Sequence, residues 1–242
     1  MESTFADLAA HCIALLSHIP AESRIIVAIS GIPGSGKTTL GTAVVSKINE
    51  LWMTACAADA EKATHKTQIC AFVPMDGFHL TRAQLAAMPN AEEAIARRGA
   101  PFTFDPESLL SLVQKLRVPV SADAKSIYAP SFDHAVKDPI ENDIKVLPTD
   151  RIIIIEGLYL MLEDSPWNQI ADLMDELWFV NVERAVARDR IIRRHLEAGI
   201  ARNEAEAIKR ADESDLVNGD YIVSHSLTPD KMIISIQDDR IS

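Results

Sequence analysis

Ile25-Ile26-Val27-Ala28-Ile29-Ser30 runs directly into Gly31-Ile32-Pro33-Gly34-Ser35-Gly36-Lys37-Thr38-Thr39, and a helical pattern continues from Gly36 to Leu51. The first run is short, apolar and β-branched, as a strand buried on both faces must be. The second matches G-x-x-x-x-G-K-[ST], in which glycines let the backbone curl until successive N–H groups point inward at an anion. A helix start behind the loop adds partial positive charge at the same point. The order strand, glycine loop, helix therefore predicts a polyphosphate cradle built from Gly31, Gly34, Ser35, Gly36, Lys37, Thr38 and Thr39. Lys37 can reach the β- and γ-phosphates and Thr38 can offer its hydroxyl to Mg²⁺, whereas Thr39 is better placed to stabilise the helix start. An accidental glycine-rich turn is the competing explanation, and the flanking strand and helix count against it.

Four more runs of the same kind, Ile69 to Val73, Ile152 to Ile155, Leu177 to Val182 and Met232 to Ile236, bring the expected parallel strands to five. Helical spacing lies between them, near Thr4 to Ser17, Gly36 to Leu51, Ala91 to Arg97, Pro106 to Leu116, Glu183 to Glu197 and Asn203 to Asn218. This alternation predicts an α/β fold, a five-stranded parallel sheet flanked by helices. The start at Pro106 is the clearest, because Asp105 can cap free amides while the proline takes the first helical position. Asn49 to Gln68 reads as a helix extension and surface loop. Val118 to Thr149 reads as irregular, with four prolines, yet it carries Tyr128, Phe132 and His134. Aromatics inside a polar loop suggest a ligand wall on a mobile flap. No repeat or linker divides the chain, so residues 1–242 are expected to form one domain.

Composition narrows the partners. The 242 residues are 48% hydrophobic and 24% charged, as in ordinary globular domains, and 24 basic against 35 acidic residues give a net charge of -11. That charge repels nucleic acid and anionic membrane surfaces at long range, so neither is expected as a partner. The first residues lack a basic region before Arg24, and no apolar run approaches the ~20 residues that span a bilayer. Three cysteines, Cys12, Cys56 and Cys70, fit neither a disulfide framework nor a zinc site, which suits a reducing, cytoplasmic compartment. A homo-oligomer is left open.

Two further segments end strands. Val73-Pro74-Met75-Asp76-Gly77-Phe78-His79 and Ile155-Glu156-Gly157-Leu158-Tyr159, taken with the glycine loop, resemble the phosphoribulokinase/uridine kinase family of small-molecule kinases. The Asp-Gly-Phe segment is particularly similar to that of bacterial pantothenate kinase and uridine kinase-like sugar or nucleoside kinases. Matching stretches run from about Ile25 to Arg194. The resemblance implies the P-loop nucleoside triphosphate hydrolase fold with a helical lid, the use of ATP and Mg²⁺, and Asp76 as the acid facing an acceptor hydroxyl. A carboxylate at the carboxyl end of a parallel strand does lie beside the phosphate loop, although a turn aspartate before Gly77 explains it too. Arg97-Arg98-Gly99-Ala100-Pro101-Phe102-Thr103-Phe104-Asp105 looks like the family's acceptor wall, with Arg98 holding a hydroxyl, carboxylate or phosphate; two arginines compensating a helix C-terminus are the alternative. Tyr128-Ala129-Pro130-Ser131-Phe132-Asp133-His134 resembles the substrate loop, though its spacing departs from the uridine kinase pattern. Tyr128 and His134 would then line the acceptor pocket, or an aromatic there would pin the loop. His79 is open to the same two readings. The acceptor-side segments are thus residues 76–105 and 118–149.

Glu156 ends an isoleucine run that should be buried, so its carboxylate needs a partner: Mg²⁺, its waters or Thr38, or else a structural ion pair. Arg184, Arg188, Arg190, Arg193, Arg194 and His195 form a basic cluster in an acidic chain. Positions 190, 193 and 194 share a helix face, and a helical lid over about residues 184–202 would bring Arg190 and Arg194 onto a transferring phosphoryl. The alternative is a solvated face paired to Glu183, Asp189 and Glu197. Glu204 to Asp215 looks like an ordinary amphipathic helix. The expected activity is ATP-dependent transfer of a γ-phosphoryl to a hydroxyl of a small metabolite, a nucleoside, vitamin or sugar, with Asp76, Lys37, Arg190 and Arg194 as catalytic groups. A P-loop ATPase or nucleotide switch is the alternative, but the chain shows neither an Asn-Lys-x-Asp nor a Ser-Gly-Gly-Gln segment. A silent metabolite binder is the third.

Overall fold

The computed structural model describes residues 2–58 and 68–235. From the N-terminus it forms α1 (Glu2–Leu15), β1 (Ile25–Ser30), α2 (Lys37–Ala58), β2 (Cys70–Pro74), α3 (Arg82–Ala86), α4 (Ala91–Ala96) and α5 (Pro106–Arg117). There follow β3 (Ile127–Asp133), β4 (Asp138–Val146), β5 (Ile152–Glu156), α6 (Trp167–Ala171), β6 (Glu176–Asn181), α7 (Arg184–Glu197), α8 (Glu204–Arg210), α9 (Leu216–His225) and β7 (Lys231–Ile234). Five strands pair in parallel in the order β2-β5-β1-β6-β7, so the strand that feeds the glycine loop is central.

The isoleucine runs are continuous because both faces of the sheet are covered. Side chains alternate across a strand, and Ile26, Ala28, Ile153 and Ile155 join the core that includes α5 and α6, while Ile25, Val27, Ile29, Ile152 and Ile154 join the core under α1 and α2. Full burial of each branched side chain contributes about 1.5–3 kcal/mol. Register then aligns the carboxyl ends: Pro74 pairs with Glu156, and Glu156 with Ile29. The residues after β2, after β5 and after β1 therefore emerge side by side. The amino edge is closed by hydrogen bonds: buried Arg24 donates to the carbonyls of Asp150 (3.1 Å) and Leu116 (3.2 Å), and Asp175 accepts from the Ile26 N–H at 2.7 Å.

Two expectations change. Residues 118–149 are not an irregular flap, because β3 and β4 pair as an antiparallel hairpin. Its alternation is hidden by Pro130 and Pro139 and by a register shift between Ala129 and Ser131, which moves later side chains to the other face. The helix expected at Asn203 to Asn218 starts as α8, passes through a π turn at Ala211–Asp215 and continues as α9. The helix extension after Asn49 runs to Ala58; residues 59–67 of the expected loop and residue 236 of the last strand lie outside the described residues. Among the described residues no helix is long and apolar enough to cross a membrane.

Candidate active site at the carboxyl edge of the sheet

The loop between β1 and α2 curls as its glycines require. Gly34 has φ +75°, and a Cβ there would lie 2.6 Å from the Ala187 carbonyl, so α7 packs directly on the loop. Ser35 Oγ is buried in this curl without a hydrogen-bond partner. A buried hydroxyl with no protein partner in a glycine-turned loop is what an anion-binding loop presents to its ligand. Lys37, 8% exposed, donates to the Ile32 carbonyl at 3.2 Å and stands 4.0 Å from Glu156 Oε1. Burial lowers the Lys37 pKa; the charges of Glu156 and Asp76 oppose that shift, and Arg194 adds to it. Burial raises the Glu156 pKa against Lys37, a hydrogen bond from Thr38 and the charge of Arg194. Glu156 thus has Thr38 and a long ion pair to Lys37 as protein partners, and neither saturates its oxygens. Thr38 and Thr39 are exposed in the first turn of α2.

Asp76 sits in a 3-10 turn, Met75–Phe78, that caps β2. Its carbonyl accepts from the His79 N–H (3.2 Å) and is 2.8 Å from His79 Nδ1, while its carboxylate accepts no hydrogen bond among the described residues. A turn aspartate would spend that carboxylate on nearby amides; this one is left free to act on Lys37 and Glu156. Gly77 is required because the hairpin crosses the turn: a Cβ there would lie 2.1 Å from the Pro130 carbonyl.

The second acceptor-side group is aromatic. His79 packs between Phe104 (3.9 Å between centroids) and Phe132 (4.8 Å), and exposed His134 meets Phe132 edge-on at 5.2 Å. Burial, against the Asp76 charge, lowers the His79 pKa. Arg98 lies over Phe132 and donates to the carbonyls of Lys137 (2.5 Å) and Leu80 (2.9 Å) and to Asp138 (3.3 Å). Its guanidinium ties the hairpin turn to the segment after His79, rather than capping a helix terminus. Tyr128, 48% exposed, lines a cavity of about 290 Å³ with His79, Thr81, Ser108, Lys115 and Glu141, so His79 borders both that cavity and the Phe132 ring.

The basic cluster of α7 divides into pairs that sequence proximity did not suggest. Arg184 and Arg188 form bidentate pairs with Asp220 and Asp212, not with Glu183, Asp189 or Glu197. Arg190 donates to the loop carbonyl of Gly34 (3.2 Å) and to Ser235 Oγ (2.9 Å). Arg194 is exposed, and its charge reaches Lys37 and Glu156. Ser235 could not be found from sequence, since only the return of β7 beside β6 brings it to the loop. Phe132 lay in view within the aromatic segment, but nothing there distinguished it from Tyr128.

A central strand, a glycine-turned loop and acids from two neighbouring strands meet at one edge of the parallel sheet, the arrangement of a P-loop protein. The family model "Phosphoribulokinase / Uridine kinase family" matches residues 26–211. An Aspergillus versicolor "ATP-dependent kinase-like protein notR'" is 50% identical over 159 residues, 66% of this chain and 92% of its own. The Schizosaccharomyces pombe "Putative uridine kinase C227.14" is 37% identical over 228 residues, 94% of this chain and 89% of its own. The crystal structure of a "putative fructose transport system kinase" from Silicibacter is similar with a TM-score of 0.74 and 30% identity, covering 93% of this chain and 98% of that one. The chain belongs to the phosphoribulokinase/uridine kinase family and is a kinase with the P-loop fold.

Proposed function

We propose that the protein transfers the γ-phosphoryl of ATP to a hydroxyl of a small metabolite. The observation that carries this reading is the free Asp76 carboxylate placed at one sheet edge with Lys37, Glu156 and the phosphate loop. The loop amides, Ser35 and Lys37 bind the polyphosphate; Asp76 accepts or orients the acceptor's hydroxyl proton; Arg194 neutralises charge on the transferring group. Among the described residues no cluster of three or more His, Cys, Asp or Glu side chains could hold a metal alone, which fits an ion shared between Thr38, Glu156 and nucleotide. Mg²⁺ bound there would offset charge between phosphate oxygens. His79, Phe132 and His134 form the acceptor wall, Arg98 fixes it, and Tyr128 extends it along the cavity it shares with His79. Described cysteines Cys12, Cys56 and Cys70 are free and buried, which supports a reducing, cytoplasmic compartment.

The test is an ADP-release panel with Mg²⁺-ATP and nucleosides, pantothenate-like vitamins, sugars and sugar acids, beside a blank without acceptor. Release that depends on one acceptor class supports the kinase and names that class. Release that is equal in the blank identifies an ATPase and overturns the acceptor role of Asp76.

A further inference from the structure

Each glycine of the phosphate loop is met by a different element. A Cβ on Gly31 would lie 2.6 Å from the Val180 carbonyl near the end of β6, and one on Gly34 would lie 2.6 Å from the Ala187 carbonyl and 3.1 Å from Ile191 Cγ1 on α7. One on Gly36, beside Lys37, would lie 3.5 Å from Ser235 Oγ and 3.9 Å from Arg190 Nη1. The first two approaches are backbone and apolar packing. The third sets two polar side chains from remote parts of the chain against the loop.

Those two side chains are bonded to each other. Arg190 stands one turn along α7 from Ala187, and its Nη1 donates to the Gly34 carbonyl at 3.2 Å and to Ser235 Oγ at 2.9 Å, so both hydrogens of that nitrogen are spent. Its other donors, on Nε and Nη2, find no acceptor among the described residues. Ser235 is held in turn by the sheet. Its N–H donates to the Asn181 carbonyl at 2.8 Å, one step beyond the register that sets Ile234 of β7 opposite Asn181 of β6. A chain of contacts therefore runs from the β6–β7 pairing through the Ser235 hydroxyl to the Arg190 guanidinium and the loop.

We propose that Ser235 is a positioning residue for nucleotide binding: its hydroxyl pins Arg190 against the phosphate loop and leaves Nε and Nη2 to meet the polyphosphate. The inference rests on the nucleotide-binding part of the reading above. An arginine side chain is rich in rotamers, and a ligand that has to order it loses affinity by that cost. Two acceptors on one nitrogen order the guanidinium beforehand, and its planar fork then presents the remaining donors in a fixed direction. Without Ser235 the side chain keeps a single bond, to Gly34, and can swing about it.

Calorimetry with a non-hydrolysable Mg-ATP analogue tests this on the parent, Ser235→Ala, Arg190→Ala, the double variant and Ser235→Thr. Ser235→Ala is expected to weaken binding by about three- to tenfold, the net worth of one hydrogen bond, and Arg190→Ala by at least as much. In the Arg190→Ala background the loss of the hydroxyl adds less than about twofold, as coupling through one side chain demands. Ser235→Thr keeps the hydroxyl and restores parental affinity to within about twofold. The melting temperature of nucleotide-free Ser235→Ala changes little, because the backbone bond to Asn181 survives. No loss in Ser235→Ala, equal losses in both backgrounds, or a threonine that fails to rescue overturns the inference and leaves Ser235 as a clip for the strand. If Ser235→Ala does not fold, Ser235→Cys replaces the acceptor by a weak one at similar size, and the same comparison in the two backgrounds decides. A parent that does not bind the analogue sinks the phosphate-loop reading itself, a failure visible before any variant is compared.

Discussion

The two edges of the sheet carry the same residue types and use them differently. At the amino edge, buried Arg24 gives hydrogen bonds to two carbonyls, Arg117 pairs with Asp175 at 2.9 Å, and Glu176 accepts from Trp178 while contacting His11 and Lys231. At the carboxyl edge, Ser35 Oγ has no partner, Lys37 and Glu156 stand 4.0 Å apart, and the Asp76 carboxylate is free. Charges that hold a fold together are saturated by protein; charges waiting for a ligand are not. The contrast supports the carboxyl edge as the proposed working end.

The comparison breaks most visibly at Lys37. Lys37→Ala should remove acceptor-dependent turnover and weaken nucleotide binding, yet leave the melting temperature unchanged or higher, because a desolvated ammonium is lost from a buried position. Circular dichroism melts beside nucleotide titration check it, and a large fall in melting temperature would place Lys37 with the structural charges. Asp76→Asn should lower turnover by roughly 10²- to 10⁴-fold and change ATP-analogue affinity little. Loss of stability with kcat intact would return Asp76 to the role of a turn residue.

Smaller effects separate the arginines. Arg194→Ala should reduce kcat by about 10²-fold with ground-state nucleotide affinity preserved, whereas Arg190→Ala should weaken nucleotide affinity as well, since its guanidinium bonds to the loop at Gly34. Arg24→Ala, the amino-edge counterpart, should cost about 3 kcal/mol of unfolding free energy by leaving buried carbonyls unmatched, with kcat per folded molecule unchanged. Denaturant titration and active-site-normalised rates distinguish the two kinds of arginine.

The smallest effect is one of pH. Burial alone would raise Glu176, but hydrogen bonds from Trp178, His11 and Lys231 overcome it and hold the carboxyl below its ordinary value of 4.5. A depressed folded pKa gives stability that is present above the unfolded value and disappears as the pH falls through the folded one. Melting temperatures of the parent and of Glu176→Gln should therefore differ at neutral pH and converge on acidification below 4.5. A constant difference across that range would show that the charge of Glu176 contributes nothing.

What could be read ahead of the fold depended on how local each signal was. The glycine loop needs only its own backbone and the next helix, and the isoleucine runs declare burial on both faces, so the five strands were placed to within about two residues of their ends. Asp105 and Pro106 announced α5, and the Asp105 side chain does accept from the Ser108 N–H. The hairpin escaped because prolines and a register shift erase period-two alternation, and α3 and α6 escaped because five residues are too few to show a helical period.

The sequence by itself therefore determined the sheet, the phosphate loop and the acids that end its strands, since each is written in consecutive residues. Only the tertiary structure decided which charges meet. Arg188 finds Asp212 across two helices, Arg190 finds Ser235 across the returning strand, and a π turn aims Asp215 at His195. Tyr128 lines the cavity beside His79 and Phe132 does not, because the register shift between Ala129 and Ser131 moves later side chains of β3 to the other face. Pairings of this kind depend on packing distances between remote segments, and no local pattern of residues encodes them.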